Sequence, residues 1–284
     1  MEMKIKSNIA FRKFKNNKLA FIGLVILSVL LLLSIVAPLI TNIDMNKVDL
    51  SNISSSPSKD HILGTDEMGR DIFARLIYGG RVSLLVGIVG TLMQMLIGVT
   101  LGALAGYFGG VIDFIIMRIV DIFMCFPFFV IAITMAAILG PSLLNVIIII
   151  GVLSWTSIAR IVRAEILTLK NMEYIEASKA MGLTPLEIIL SHILPNIMPS
   201  ILVAATLSIA NGILTESALS FLGMGVKLPQ PSWGNMLSAA QNMSTLQNEW
   251  WQWLPPGLCV LLTVLSINFL GDGLRDALDP KTKN

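Results

Sequence analysis

The sequence predicts an all-α, polytopic membrane protein with six transmembrane helices. Of its 284 residues, 55% are hydrophobic and only 13% are charged, and the mean hydropathy is +0.79. Soluble domains carry about a quarter of their residues as charged side chains, so this composition excludes an ordinary soluble enzyme. The apolar residues also form separate runs of about 20 residues or more, the length that crosses the hydrocarbon core of a bilayer.

Residues 1–18 are basic and predict a segment that lies along the cytoplasmic membrane surface. Lysine and arginine recur through it, with Phe11 and Phe14 interleaved, which favours contact with anionic membrane lipid. A disordered basic tail is the alternative. The apolar run 19–40 then predicts the first transmembrane helix. The net charge of the chain, +2, is too small to indicate a nucleic-acid partner.

Residues 41–81 predict an extracytoplasmic loop that contains an amphipathic helix. The loop is polar, and the basic residues before the first span place it outside the cell. Asp66 is expected to cap a short interfacial helix. In that helix Ile72 and Ile77 form the apolar face, whereas Arg75 stays in water.

Residues 82–284 predict the core of five further transmembrane helices. Gly98, Gly102 and Gly106 recur every four residues, which permits close approach of a neighbouring helix. Pro127 is expected to bend or interrupt the third span. The predicted spans run from Val82 to Tyr107, Val111 to Leu139, Leu143 to Leu167, Asn196 to Leu214 and Leu254 to Leu270.

Two smaller features accompany these spans. Arg118 and Asp121 are three residues apart and are predicted to pair on one helical face. Trp250, Trp251 and Trp253 precede the sixth span and predict an aromatic belt at the membrane interface.

A polar stretch, residues 170–195, interrupts the apolar second half of the chain. It reads KNMEYIEASKAMGLTPLEIILSHILP and predicts a helix-turn-helix. Asn171 is expected to cap the first helix, and Gly182 to adopt the left-handed conformation that ends it. Thr184 and Glu187 have the spacing of a capping box that starts the second helix. The first helix should place Met172, Ile175 and Met181 on one side and expose Glu173, Glu176 and Lys179.

This stretch resembles the EAA loop of ABC importer permeases, whose pattern is E-A-A, a glycine four residues later, and I-x-L-P. Here Glu176-Ala177-Ser178 is followed by Gly182 and Leu194-Pro195. His192 replaces the usual isoleucine, and HILPN is similar to the version in the dipeptide, oligopeptide and nickel permease branch. The segments HILGTD with GRD, ESALSFLG, PSWG and GDGLRDALDP resemble the same branch.

The resemblance implies a type I ABC importer permease fold in which residues 170–195 form the ATPase-coupling loop. The residues that it implies for this contact are Glu173, Glu176, Ala177, Ser178, Ala180, Gly182, Leu183 and Pro195.

The resemblance also implies the function of a permease subunit in an ATP-driven importer. Its partners would be a homologous permease, two ATPase subunits and an extracytoplasmic solute-binding protein, in a bacterial plasma membrane with both termini of this chain in the cytoplasm. ATP and magnesium would bind the ATPase subunits, since the sequence has no G-x-x-x-x-G-K-[ST] phosphate loop and no cofactor motif of its own. This chain is therefore not expected to be an enzyme.

Oligopeptides or dipeptides are the expected cargo, with nickel or a metal chelate as the alternative. An ion-coupled secondary transporter is the alternative of another class. The polar residues within spans are the candidates for a substrate path, namely Gln94, Asn211 and Glu216. Gln94 could instead form a hydrogen-bonded bridge between helices.

Overall fold

The computed structural model describes residues 17–41 and 43–278, so most of the predicted basic segment 1–18 lies outside the described residues. The helices, in chain order, are α1 (Lys18–Ile40), α2 (Ile72–Phe108), α3 (Gly110–Cys125), α4 (Phe128–Leu139), α5 (Leu143–Leu169), α6 (Glu173–Ala180), α7 (Pro185–Ile188), α8 (Leu194–Phe221), α9 (Trp233–Leu237), α10 (Met243–Asn248) and α11 (Trp250–Leu278).

The prediction of an all-α membrane protein is confirmed. Within the described part of the chain, five helices are long and apolar enough to cross a membrane: α1, α2, α5, α11 and the continuous stretch 185–221 that includes α8. Helices α3 and α4 pass the same test as a pair, but they meet at an angle of 86°. Counting this bent pair as one span gives the six spans that the sequence predicts.

The central contact of the bundle joins α2 to α5, and the three predicted glycines lie in it. A methyl group on Gly98 would lie 2.7 Å from Cβ of Ile158, and one on Gly106 would lie 2.9 Å from Cβ of Ile166. The glycines therefore let two long helices pack with their backbones almost in contact. The contact fixes α5 against α2 along most of its length.

The prediction of a short interfacial helix between residues 66 and 81 is wrong. Helix α2 begins at Ile72 and continues to Phe108 without a break. Its N-cap is Asp71, whose carboxylate accepts the Ala74 backbone N–H at 2.7 Å. Asp66 instead stabilises the turn from residue 66 to residue 70, because its carboxylate accepts hydrogen bonds from the backbone N–H and the side chain of Arg70.

Arg75 is buried rather than wet, with 3% of its surface exposed. Its guanidinium donates to the carbonyl oxygens of Met45 and Pro229, each at 3.3 Å, and lies 3.6 Å from the Asp66 carboxylate. Two loops that are far apart in sequence thus fold over the start of α2. Because these oxygens satisfy the guanidinium, the arginine can be buried at this position.

The predicted tryptophan belt is also only partly correct. Trp250 is half exposed, but Trp251 is buried and packs with Ile72 and Met236. Its indole N–H donates to the carbonyl oxygen of Thr65 at 3.3 Å. Trp251 therefore holds the loop before α2 against the start of α11.

The third span breaks where the sequence predicts, at Pro127, and the predicted ion pair between Arg118 and Asp121 is present, although Asp121 makes a shorter one elsewhere. Asp121 lies 3.9 Å from Arg118 on the same helix and 2.7 Å from Arg160 on α5. The shorter contact joins two helices, which a pattern of spacing within one helix cannot reveal.

The α2–α5 contact generates a prediction about stability. A methyl group on Gly102 would lie 2.6 Å from the Ala159 carbonyl oxygen, so Gly102→Ala should force the helices apart and lower the stability by about 1–3 kcal/mol. Gly257→Ala is the matched control, because its nearest neighbour would be a flexible Leu237 side-chain carbon at 3.4 Å. Thermal unfolding in detergent measures both. Equal unfolding temperatures for the two variants would contradict the close contact.

Candidate functional site

The first candidate site is the segment 170–195, which lies at one end of the bundle, termed here the Gly182 end. Helix α6 begins one residue later than the predicted cap: Met172 is the N-cap, with extended backbone angles and no side-chain hydrogen bond, so Asn171 does not cap it. Of the three apolar residues assigned to one side, only Ile175 is buried, while Met172 and Met181 are 43% and 72% exposed. One isoleucine therefore anchors the helix.

Gly182 ends α6 in the predicted left-handed conformation, with φ of +85°. Space is open around it, because no heavy atom of the described residues lies within 4 Å of the position that a Cβ atom would occupy. The conformation of the turn, rather than crowding, is what requires glycine here. Leu183, half-buried, follows and donates its backbone N–H to the Ser178 carbonyl oxygen at 3.2 Å.

The predicted capping box is present. The backbone N–H and the hydroxyl of Thr184 both donate to the Glu187 carboxylate at 2.7 Å, and the Glu187 backbone N–H donates back to the hydroxyl at 3.3 Å. The two hydrogen bonds that the carboxylate accepts hold the pKa of Glu187 below its usual value. The box starts a stretch of helix that does not end before the fifth span.

The second arm of the segment is continuous with α8, which corrects the predicted hairpin followed by a separate span. Residues Ile189–Ile193 form a π-helical turn, and the Leu194 backbone N–H donates to the Ile189 carbonyl oxygen. Pro195 has no N–H to donate, so the hydrogen-bonding register shifts just before it. Motion of this arm would be carried directly into α8.

An apolar cluster fixes the segment to the bundle. Ile175, Ile188 and Ile193 are each no more than 1% exposed. They pack in one cluster with residues of α2 and α5, namely Ala103, Ile158, Val162 and Ile166. The segment therefore rests on the same two helices that make the glycine contact.

The polar surface of α6 faces away from the helical bundle. Glu173, Glu176, Ala177, Lys179 and Ala180 are exposed, whereas Ser178 is buried and donates its hydroxyl hydrogen to the Tyr174 carbonyl oxygen at 2.8 Å. Pro195 is exposed on the second arm. The segment thus offers a charged surface on a firmly anchored base.

The second candidate site is a cavity of about 430 Å³ between the bent pair, α5 and α8. One wall consists of apolar residues from around the bend, including Phe123, Met124, Phe126 and Phe128. The other carries uncharged polar side chains, which are Gln94, Ser154, Thr156, Ser157, Ser208, Asn211 and Thr215. Every side chain of the described residues that lines this cavity is uncharged.

The structure brings two of the three predicted path residues to this cavity. Gln94 is 5% exposed, and its amide donates to the Ser154 carbonyl oxygen at 3.0 Å and to the Ser208 hydroxyl at 3.1 Å. It therefore bridges α2, α5 and α8 while lining the cavity. Asn211 is exposed on the cavity wall.

Glu216 lies apart from the cavity lining. It is fully buried within α8, where its carboxylate accepts hydrogen bonds from the hydroxyls of Ser83 at 3.0 Å and Ser220 at 2.7 Å. The Ser83 hydroxyl in turn accepts the Trp233 backbone N–H at 3.1 Å. Glu216 thus braces α2, α8 and α9 near the Trp233 end of the bundle, opposite the Gly182 end.

Sequence reasoning missed most of the cavity lining. Ser208, Asn211 and Thr215 occur at spacings of three and four residues, which places them on one face of α8. That spacing could have identified them. The aromatic wall depends on the 86° bend at Pro127, whose direction cannot be obtained from the sequence.

Comparison with known proteins identifies the class of protein. The family model of the binding-protein-dependent transport system inner membrane component matches residues 98–284. The model of the N-terminal transmembrane domain of oligopeptide transport permease C matches residues 8–57.

The particular relatives agree with these models. The chain is 45% identical over 97% of its length to the dipeptide transport system permease protein DppC of Alkalihalophilus pseudofirmus, covering 90% of that protein. It is 41% identical over 96% of its length to the oligopeptide transport system permease protein OppC of Bacillus subtilis, covering 89% of it. The chain therefore belongs to the family of binding-protein-dependent transport system inner membrane components, as the sequence resemblance implies. It is a transport subunit rather than an enzyme.

A solved structure supports the fold. The inward-facing MetNI methionine ABC transporter matches with a TM-score of 0.59 and 24% identity, over 72% of this chain and 97% of the matched chain. This likeness confirms the type I ABC importer permease fold.

The capping box generates a prediction about pH. The pKa of Glu187 is lowered in the folded segment. The ionised carboxylate therefore stabilises the segment fully above the usual carboxyl pKa, and this stabilisation is lost as the pH falls through the lowered pKa. Hydrogen exchange of the residue 184–188 amides should therefore lose protection at acidic pH, relative to Glu187→Gln at the same pH. Thr184→Ala should lower the stability of the segment by about 1 kcal/mol. Identical pH profiles for the wild type and Glu187→Gln would contradict the assignment.

Proposed function

We propose that this chain is one of two permease subunits of an ATP-driven importer of dipeptides or oligopeptides. The observation that carries the proposal is the near full-length similarity to the dipeptide and oligopeptide permeases. The uncharged, partly polar cavity supports it, because hydroxyl and amide groups can hydrogen-bond a peptide backbone whatever its side chains are. Nickel or a metal chelate is the alternative cargo.

The partners are a homologous permease, two ATPase subunits and an extracytoplasmic solute-binding protein. ATP and magnesium bind the ATPase subunits. The family description, which names a binding-protein-dependent system, supports this composition. The bundle lies in the lipid of a bacterial plasma membrane, and no nucleic acid takes part.

Both termini and the Gly182 end face the cytoplasm. Asn17 donates a hydrogen bond to Asp276 at 3.2 Å, so the start of α1 and the end of α11 lie together. Arg275 and Leu278 share a groove with Pro199 and Ser200, which follow the 170–195 segment. Lysine and arginine are enriched in residues 1–18 and near residue 170, as cytoplasmic regions of membrane proteins require.

The 170–195 segment is the ATPase-coupling loop. The residues that carry the contact are Glu173, Glu176, Ala177, Ser178, Ala180, Gly182, Leu183 and Pro195. Most of them lie on the exposed surface of the segment, and the buried isoleucines beneath them join it to α2 and α5. Closure of the ATPase subunits moves the segment, and the bundle then exposes its cavity to the outside.

The cavity is the cargo path through this subunit. Gln94 and Asn211 contribute amides to it. Glu216 acts at a distance, because it holds together the helices at the extracytoplasmic end. Transport of this kind requires no covalent step in this chain.

Replacement of Gly182 tests the coupling loop. Gly182→Ile should abolish or lower transport at least tenfold, because a β-branched residue is strained at φ of +85°. Met181→Ile, at the adjacent position with φ of −74° and a side chain 72% exposed, introduces the same residue without backbone strain; it is the control and should keep most of the activity. The assay measures peptide uptake and ATP hydrolysis in liposomes containing the whole complex. Normal uptake with normal ATP hydrolysis in Gly182→Ile would contradict the proposal.

Replacement of Asn211 tests the cargo path. Asn211→Trp should fill part of the 430 Å³ cavity and lower peptide uptake at least tenfold while the complex still assembles. Leu214→Trp is the control on the same helix, because Leu214 is 45% exposed and does not line the cavity. Equal uptake by the two variants would show that cargo does not pass there.

The alternative of another class, a secondary transporter, predicts a different result. The purified chain alone should then take up substrate along an ion gradient without ATP. Co-purification with ATPase subunits, together with strict dependence of uptake on ATP, would exclude it. Competition between labelled dipeptide and nickel for uptake separates the two cargo classes.

A further inference from the structure

Helix α3 has a break in the helical chain at each of its ends. Gly109 and Gly110 connect it to α2 with φ of +66° and +52°, and nothing within 4 Å crowds Gly110. At its other end the chain breaks at Pro127 and α4 leaves at 86°. Among the described residues, Val120 is the one buried member of α3; it packs on α5 beside the partly buried Met117, and the Phe123 ring meets the Trp155 ring edge-on with the centroids 5.9 Å apart. These apolar contacts are few, and they leave the orientation of α3 against α5 to other interactions.

Two ion pairs supply those interactions. Asp113 accepts a bidentate contact from Arg163, Nε to Oδ1 at 2.5 Å and Nη2 to Oδ2 at 2.6 Å. Asp121 accepts Nη2 of Arg160 at 2.7 Å. The two aspartates are eight positions apart along α3, so the pairs hold α3 against α5 at two separate points. The planar guanidinium fork also fixes the direction of approach.

The helix at the other side of these pairs is α5, which leads directly into the 170–195 segment. Arg160 and Arg163 lie near its end, and its buried face belongs to the cluster that holds Ile175 and Ile188. At the far end of α3, Phe123 and Phe126 form part of the cavity wall. The ion pairs therefore lie between the segment and that wall.

We propose that Asp113, Asp121, Arg160 and Arg163 form an ionic clasp that makes α3 follow α5, so that the aromatic wall of the cavity moves with the 170–195 segment. The clasp residues are positioning residues. This inference rests on the proposed function for its transport readout. An ion pair that is partly exposed contributes little to folding, so loss of the clasp should affect coupling more than stability.

The test uses the complete transporter with its binding protein in liposomes. Asp113→Asn and Arg163→Gln should each lower the uptake of labelled dialanine per ATP hydrolysed at least fivefold, with the rate of ATP hydrolysis within twofold of the wild type. The charge-reversed double variant, Asp113→Arg with Arg163→Asp, should restore the ratio to within about twofold. Arg118→Gln is the control for the Asp113 pair and should leave the ratio unchanged: it removes a charge from the same helix, but Arg118 is 61% exposed and its ion pair, at 3.9 Å, is with Asp121 rather than with Asp113.

Hydrogen exchange provides a readout that needs no cargo. Asp113→Asn should speed the exchange of α3 amides and leave those of α2 unchanged, because α2 is held by its own contact with α5. A wild-type complex that takes up neither dialanine nor a labelled oligopeptide would contradict the proposed function, and the clasp would then be judged by this exchange measurement.

The clasp is overturned if the single variants keep both the wild-type coupling ratio and the wild-type exchange of α3. It is also overturned if the charge-reversed variant assembles but stays as poorly coupled as the single variants. Where variants of the Asp113 pair fail to assemble, Asp121→Asn, Arg160→Gln and their charge reversal decide by the same criteria, since both side chains are 47% exposed.

Discussion

The close packing of α2 on α5 is the constraint on which the rest of the structure depends. Three glycines on α2 let the backbones approach to distances that leave no room for a methyl group. In lipid, where apolar side chains gain little by leaving their surroundings, such contact supplies much of the association between helices. The pair then forms a platform for two further features, the isoleucine cluster beneath the 170–195 segment and one wall of the cavity.

The two ends of the bundle are built differently, and this difference suits an importer. At the Trp233 end, buried polar groups such as Arg75 and Glu216 hold loops and helices together through hydrogen bonds. At the Gly182 end, an exposed capped segment is anchored by apolar contacts and continues directly into α8. One end is braced, and the other presents a rigid surface on which a partner can act.

The sequence predicted features that depend on local chemistry. The number of spans, the Gly182 turn, the Thr184–Glu187 capping box and the break at Pro127 follow from neighbouring residues and were correct. Features that depend on distant residues were not predicted: Arg75 is buried by two remote loops, and Asp121 pairs with Arg160 of α5 as well as with Arg118. A carboxylate within a span predicts a place in the path for Glu216, but two serines from different helices hydrogen-bond this carboxylate and keep it away from the cavity lining.

The proposed coupling requires that the 170–195 segment moves as one body with α2 while the cavity changes shape. Spin labels at Met181 and Leu96, both 72% exposed, measure the distance between the 170–195 segment and α2. Labels at Val130 and Leu214 measure the distance between α4 and α8. Both pairs are introduced as cysteines after Cys125 and Cys259 are replaced by serine. On binding of ATP and magnesium to the complex, we expect a constant Met181–Leu96 distance and a changed Val130–Leu214 distance. A changed Met181–Leu96 distance together with a constant Val130–Leu214 distance would contradict this coupling.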